Sequence, residues 1–267
     1  MDWIEANGAS LRYDLSGSGS ATVVAIHEVG GCIESWDDAI APFQRRFRVL
    51  RYDQRGFGMS ERTRTITMDG IVADLVALLD GLQIVGPVHL VGCAMGAAIA
   101  LAFAGRHPGR VGRIVTASPA TWANADPAVA RKRIDEIERA GVRAVEQGSL
   151  AASYPEVMRV LDRARFERFR RRWLANDPEA MAAILRMSTN PSFDLSADLA
   201  RIAAPTLVVG CTHDPIRTPA MAGKVAAQIP GAKYVEASSG HFMAIETPEL
   251  FAELAVPFLT AGAAGAK

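Results

Sequence analysis

Between residues 88 and 104 an apolar strand runs into an apolar helix through a turn with almost no room in it. Residues 88–91 form a short, mostly apolar run, the pattern of a strand buried on both faces. Gly92-Cys93-Ala94-Met95-Gly96 then sets a glycine two places to either side of Ala94, and residues 97–104 continue as a helix of small side chains. Small side chains let a helix lie close against a sheet. A strand buried this way belongs to a parallel sheet with helices on both faces.

The rest of the chain repeats that theme. Leu11 and Tyr13 alternate with polar neighbours ahead of Ser16-Gly17-Ser18-Gly19-Ser20, which predicts an edge strand and a turn. Further strands are predicted over 22–26, 47–52, 111–116, 206–209 and 233–237. Helices are predicted over 36–43, 68–82, 219–228 and 248–259. Within 68–82, Ile71, Leu75, Leu78, Leu79 and Leu82 recur at helical spacing. Strands alternating with helices imply an α/β chain built on a mostly parallel sheet.

Between Pro119 and Asp198 the alternation stops. Helical spacing takes over, with candidates at 127–140, 142–147, 155–161, 166–174 and 178–187. The sheet pattern resumes at Thr206 without a flexible linker. The expected organisation is a core formed by residues 1–118 and 199–267, with residues 119–198 inserted as a helical cap. The tail 261–267 is too poor in large apolar residues to pack and is expected to fray.

Composition narrows the function classes. Of 267 residues, 49% are hydrophobic and 22% charged, and the formal net charge is zero. That balance gives no electrostatic footprint for nucleic acid. Arg163, Arg165, Arg168, Arg170, Arg171 and Arg172 are a local concentration at helical spacing, read as a solvated face or an anion-binding patch. No apolar stretch is long enough for a membrane span. The N-terminus lacks the basic-then-apolar order of a secretory signal, so a cytoplasmic location is expected. Cys32, Cys93 and Cys211 are far apart and fit neither a disulfide framework nor a zinc spacing. The five histidines form no short-range ligand cluster, so no metal is expected. Neither a phosphate loop nor a dinucleotide fingerprint is present, and no cofactor is expected. The expected partner is a small-molecule substrate, and a homodimer is the base-rate expectation.

Four chemistry-bearing positions fall just past the carboxyl ends of predicted strands, where open α/β sheets bind ligands: His27-Glu28, Ala94, Asp214 and His241. Gly92-Cys93-Ala94-Met95-Gly96 has the layout of a nucleophile elbow, Gly-x-Ser-x-Gly, with alanine at the apex. Asp214 can accept a hydrogen bond from one imidazole nitrogen of His241, leaving the other nitrogen as a general base. Asp53 ends a strand just before Arg55, which suggests a structural pair.

Taken together these blocks resemble the α/β-hydrolase superfamily over essentially the whole chain. The resemblance implies a mostly parallel eight-stranded sheet flanked by helices, with a helical cap. His27-Glu28-Val29-Gly30-Gly31 resembles the family's oxyanion loop, and Asp53-Gln54-Arg55-Gly56-Phe57-Gly58-Met59-Ser60 its Asp-x-Arg-Gly-x-Gly-x-Ser signature. It implies Val29 and Met95 as the oxyanion-hole N–H groups, and Asp214 and His241 as acid and base. Residues 47–53 are similar to those of enol-lactonases acting on 3-oxoadipate enol-lactone. The pattern is also similar to the aminoacrylate hydrolases of pyrimidine breakdown, where alanine at the apex occurs.

Two departures bear on mechanism. Glu28 replaces the usual glycine, with its carboxylate either in solvent or at the pocket edge, where it would disfavour an anion. Ala94 carries a methyl group, so an acyl-enzyme at this position is excluded. Cys93 is one place off the apex and reads as a small buried side chain. Three accounts remain open: His241 activates water or takes a substrate proton directly; a serine hydrolase has been changed to alanine at 94; or the pocket only binds a small molecule. Trp36, near the oxyanion loop, is a packing or substrate-contact residue. Trp122, Tyr154, Arg170, Trp173 and Met187 are the cap residues expected to line the pocket, with the cap arginines available for a carboxylated substrate.

Overall fold

The computed structural model of the chain describes residues 1–261. The expectation for the tail therefore lies, from residue 262 onward, outside the described residues. Eight strands form one sheet: β1 (Asp2–Ala6), β2 (Ala9–Ser16), β3 (Thr22–Ile26), β4 (Arg48–Tyr52), β5 (Val88–Cys93), β6 (Val111–Ala117), β7 (Thr206–Cys211) and β8 (Lys233–Ala237). Their order is β1-β2-β4-β3-β5-β6-β7-β8. β2 pairs antiparallel with β1 and β4, and all other pairs are parallel.

The strand through Leu11 and Tyr13 is thus second in the sheet rather than its edge. The edge is β1, which its composition hides: Trp3 is exposed and only Ala6 is buried. Asn7 and Gly8 join the two strands with φ of 52° and 72°. Positive φ at both positions suits the twist of a two-residue hairpin, and Asn-Gly is the pair that adopts it most readily.

Both faces of the sheet are buried, and successive side chains alternate between them. Val24, Ile26, Leu90, Ile114 and Val208 face one cluster, packed under α1 (Met68–Gly81) and α2 (Met95–Arg106). Val23, Ala25, Val91, Val115 and Val209 face the other, with Trp36, Phe43 and Phe251. The helix expected over 36–43 is broken into a turn of 3-10 helix at Ile33–Trp36 and a short helix at Ala41–Gln44. Pro42 sits in the first turn of the second piece, where its missing N–H costs nothing; inside one continuous helix it would break the ladder.

The insert carries α3 (Pro127–Ala140), α4 (Arg163–Leu174) and α5 (Pro178–Ser188). Where a helix was expected over 142–147, the chain makes a 3-10 turn at Val142–Val145 and a π turn at Glu146–Leu150. Ile134, Ile137, Phe169 and Trp173 join the core cluster that holds Ala94 and Met95. The insert's apolar underside is therefore continuous with the core. After it come α6 (Pro219–Gln228) and α7 (Pro248–Thr260). Among the described residues, no helix is long and apolar enough to cross a membrane.

The chain leaves β3 toward β4 on one side and returns to β5 on the other. Strand order reverses there, so a crevice opens at the carboxyl ends of β3 and β5, the usual ligand site of such sheets.

Candidate active site

At the end of β5 the backbone of Ala94 has φ 52° and ψ −116°, a conformation that L-residues rarely adopt. Its surroundings hold it there. The Ala94 N–H donates to the Ala117 carbonyl at 3.0 Å, and its carbonyl accepts from Ala98 and Ala120, each at 3.2 Å. Gly92 and Gly96 let the turn close: a β-carbon at Gly92 would strike the Gly96 backbone, and one at Gly96 the Ile26 carbonyl. Met95 opens α2, so its N–H has no partner within the helix. The neighbouring loop after β3 carries Val29, whose N–H meets no acceptor among the described residues. Two donors thus stand beside a strained apex that bears a methyl group.

The loop after β3 is pinned from three sides. His27 Nε2 accepts the Gln54 N–H at 2.9 Å, so Nδ1 carries the proton and donates to the Glu28 carbonyl at 2.8 Å. Burial lowers the pKa of His27 and keeps it neutral. Gly30, at φ 76°, packs under the Trp173 indole, and Asn176 Nδ2 donates to its carbonyl at 2.8 Å. The Glu28 side chain lies in neither of its two expected places. It is buried beneath the turn against Gly31, where Ser35 Oγ donates to Oε1 at 2.9 Å. Burial pushes its pKa up to about 7.

Across the crevice, Asp214 follows β7 and His241 follows β8. The Thr212 and His213 N–H groups donate to the Ala237 and Ser239 carbonyls at 2.9 Å each, tying the two loops together. His241 Nδ1 lies 2.7 Å from Asp214 Oδ2. Asp214 Oδ1 accepts the N–H groups of Ile216 and Arg217 at 2.8 and 2.9 Å. Burial alone would raise the Asp214 pKa; the charge and hydrogen bond of His241, with the Arg217 N–H, outweigh it and hold it at about 2. An ionised carboxylate only accepts, so Nδ1 is the protonated nitrogen. Nε2 has no protein partner among the described residues.

Val29, Ala94, Met95, Trp173 and His241 line one cavity of ≈ 170 Å³. Of the residues expected around it, the structure places several elsewhere. Trp36 is buried on the opposite face of the sheet, edge-on to Phe251. Tyr154 is fully buried inside the insert against Phe166 and Phe169. Arg170 is ion-paired with Glu146 and borders a separate surface hollow. Trp122 lies under the Arg217 guanidinium, and Met187 packs at the margin of the core; neither reaches the cavity wall. Sequence reasoning missed Asn124, Arg133, Ser149 and Arg217, which do line it. The position of Arg217, three residues past Asp214 in the same loop, was the available signal.

Asp53 does not pair with Arg55. Arg12 Nε donates to Asp53 Oδ2 at 2.6 Å, and the Ile33 and Met59 N–H groups complete its shell. Arg55 instead pairs with Asp74. Cys32, Glu34 and Asp53 hold ligand-type atoms within 4.8 Å of one another, but both acids are already ion-paired with the Arg12 guanidinium. The Cys93 thiol is buried on the sheet face away from the cavity, and burial raises its pKa, so it stays protonated.

Residues 21–248 match the family described as the alpha/beta hydrolase fold. The enol-lactonase from Burkholderia xenovorans LB400 superposes with a TM-score of 0.91 at 28% identity, covering 97% of this chain and all of that one. Pyrrolizixenacetamide deacetylase of Xenorhabdus hominickii is 29% identical over 97% of this chain and 98% of its own. RutD of Caulobacter segnis, named as a candidate carbamate hydrolase, is 27% identical over 93% of this chain and 96% of its own.

Proposed function

Because the chain belongs to the α/β-hydrolase fold family and is an enzyme of that fold, we propose that it hydrolyses a small ester, lactone or amide with water activated by His241. The observation that carries this reading is the intact Asp214–His241 pair, with Nε2 free, beside an apex that has no nucleophile. Nε2 removes a proton from water as the water oxygen adds to the acyl carbon. The oxyanion that forms is held by the N–H groups of Val29 and Met95. Collapse breaks the bond to the leaving oxygen or nitrogen, which takes the proton back from Nε2. Asp214 keeps Nδ1–H in place and stabilises the imidazolium.

Direct attack by water suits labile acyl compounds whose leaving group departs easily. Enol-lactones are of this kind, because the enol leaves as a stabilised enolate, and the similarity to an enol-lactonase supports that class. In this reading residues 119–198 act as a cap over a core of residues 1–118 and 199–267. The antiparallel bridge between Trp122 and Asp194, which brings entry and exit of the insert together, supports that division. Replacing His241 with alanine tests the reading: turnover of a small ester should disappear, and full activity would refute it.

One observation favours a second reading. The strained φ of 52° at Ala94 is the geometry that presents a nucleophile, and a methyl group makes no use of it. A serine hydrolase altered at this position would look the same. Ala94→Ser separates the two. A gain of orders of magnitude, with labelling of the new hydroxyl by a serine-directed acylating probe, would establish the second reading. Little gain and no labelling are expected on the first.

A further inference from the structure

Arg217 stands apart among the arginines of this chain. It is 5% exposed, and it lines the same cavity as Ala94 and His241. Nη2 donates to the Trp122 carbonyl at 2.8 Å, and the guanidinium carbon sits 5.4 Å from the centre of the Trp122 ring. Nε and Nη1 have no hydrogen-bond partner among the described residues. Both oxygens of the nearby Asp214 are taken, Oδ2 by His241 and Oδ1 by backbone N–H groups, including that of Arg217 itself. Elsewhere, buried guanidinium groups are matched to acids: Arg12 to Asp53 and Glu34, and Arg51 to Asp14 and Asp37. A buried charge with unmet donors is costly unless something pairs with it.

A second cation faces the same space. Arg133 of α3 lines the cavity from the insert, and it makes no ion pair among the described residues. No aspartate or glutamate lines this cavity. Glu28, which sequence alone allowed at the pocket edge, is turned beneath the oxyanion loop toward Ser35. At ≈ 170 Å³ the space is smaller than the usual drug-sized pocket of about 300 Å³ or more.

We propose that the substrate is a small acyl compound bearing a free carboxylate, which Arg217 binds inside the cavity while Arg133 closes on it from the insert. A carboxylate supplies acceptors for a guanidinium and cancels its charge, which no residue of the cavity wall does. Burial lowers the Arg217 pKa to about 10, so the group is still a cation near neutral pH. The placement also fixes polarity: the substrate's charged end points toward Arg217 and its scissile carbonyl toward Val29 and Met95. This inference rests on the hydrolase reading for turnover but not for binding.

The test uses the full chain and two measurements. In the first, hydrolysis of monoethyl succinate is compared with that of ethyl succinamate, its uncharged near-isostere. The wild type should prefer the carboxylate by roughly 10- to 100-fold in kcat/KM, mostly through KM. Arg217→Met should erase most of that ratio, and Arg133→Met a smaller part. Arg217→Lys should retain some of it. In the second, calorimetry compares linear dicarboxylates from malonate to adipate with their diamides. At least one dicarboxylate should bind the wild type more tightly than its diamide, and that difference should vanish in Arg217→Met, with circular dichroism confirming the fold of each variant. Turnover of both esters without preference would overturn the carboxylate site and leave the hydrolase reading standing. Selective dicarboxylate binding without turnover of either ester would do the reverse. Equal binding of every dicarboxylate and its diamide would overturn the proposal outright.

Discussion

The two sides of the crevice carry the same kind of backbone preparation and different amounts of chemistry. On the β7–β8 side, Asp214 and His241 are joined at 2.7 Å, and Asp214 is further fixed by two N–H groups. On the β5 side, the turn at residue 94 is equally well held, by Ala117, by Ala120 and by the fit of Gly92 and Gly96, but it presents only a methyl group. The difference shows that the strained turn is imposed by the fold and not by the apex side chain. Glycine clearance and strand pairing hold φ at 52° with only a methyl group at residue 94. The proposed oxyanion donors and base can stay in place without a nucleophile, because separate elements position each of them.

The comparison breaks most visibly at the base. His241→Ala should lower kcat/KM by about 10²- to 10⁴-fold, the usual worth of a general base, and should also lower the melting temperature, because the buried Asp214 carboxylate loses its partner. Steady-state kinetics with a labile ester checks this. Gly96→Ala tests the claim that packing fixes the turn. The added methyl meets the Ile26 carbonyl, so a loss of about 1–3 kcal/mol or more in denaturant unfolding is expected. An unchanged midpoint would mean that the turn is not held as described.

The acids on the two sides should respond to pH with opposite signs. Glu28 is raised to about 7, so its folded state holds a proton that the unfolded chain releases near 4.5. Its contribution is fully present below about 4.5 and is lost as pH rises through about 7, a total change on the order of 3 kcal/mol. Asp214 is held at about 2; its contribution is present above its unfolded value of 3.8 and is lost as pH falls toward 2. Glu28→Gln should reduce the first slope and leave the second, as urea unfolding between pH 2 and 8 would register. The smallest effect is expected at Arg170, which pairs with Glu146 away from the cavity. Arg170→Ala should leave kcat/KM within about twofold and the unfolding midpoint essentially unchanged, because exposed ion pairs add little to stability.

Much of this architecture is legible in the sequence because it depends on local patterns. Apolar runs closed by turn residues mark β3 to β8, and the order of Asp214 and His241 after the elbow places both at strand ends. Other features depend on what folds over a residue. Trp36 is near the oxyanion loop in sequence, yet it packs with Phe251 on the far face, because the segment after β3 has by then crossed to that side of the sheet. Arg217 has the composition of a surface arginine until Trp122, at the start of the insert, lies against it. The burial of Glu28 is decided by Ser35, seven residues on, whose hydroxyl gives the carboxyl a partner. β1 was missed for a local reason: with so few inward side chains, only the Asn7-Gly8 turn betrays it.

The central claim is that acid–base chemistry proceeds here without a covalent intermediate. Intact-mass spectrometry of the protein, acid-quenched during steady turnover of a labile ester, addresses it directly. An unmodified mass at every time point, with turnover that disappears in His241→Ala, is the expected result. An acyl adduct on the protein that forms and decays at the rate of turnover would contradict it.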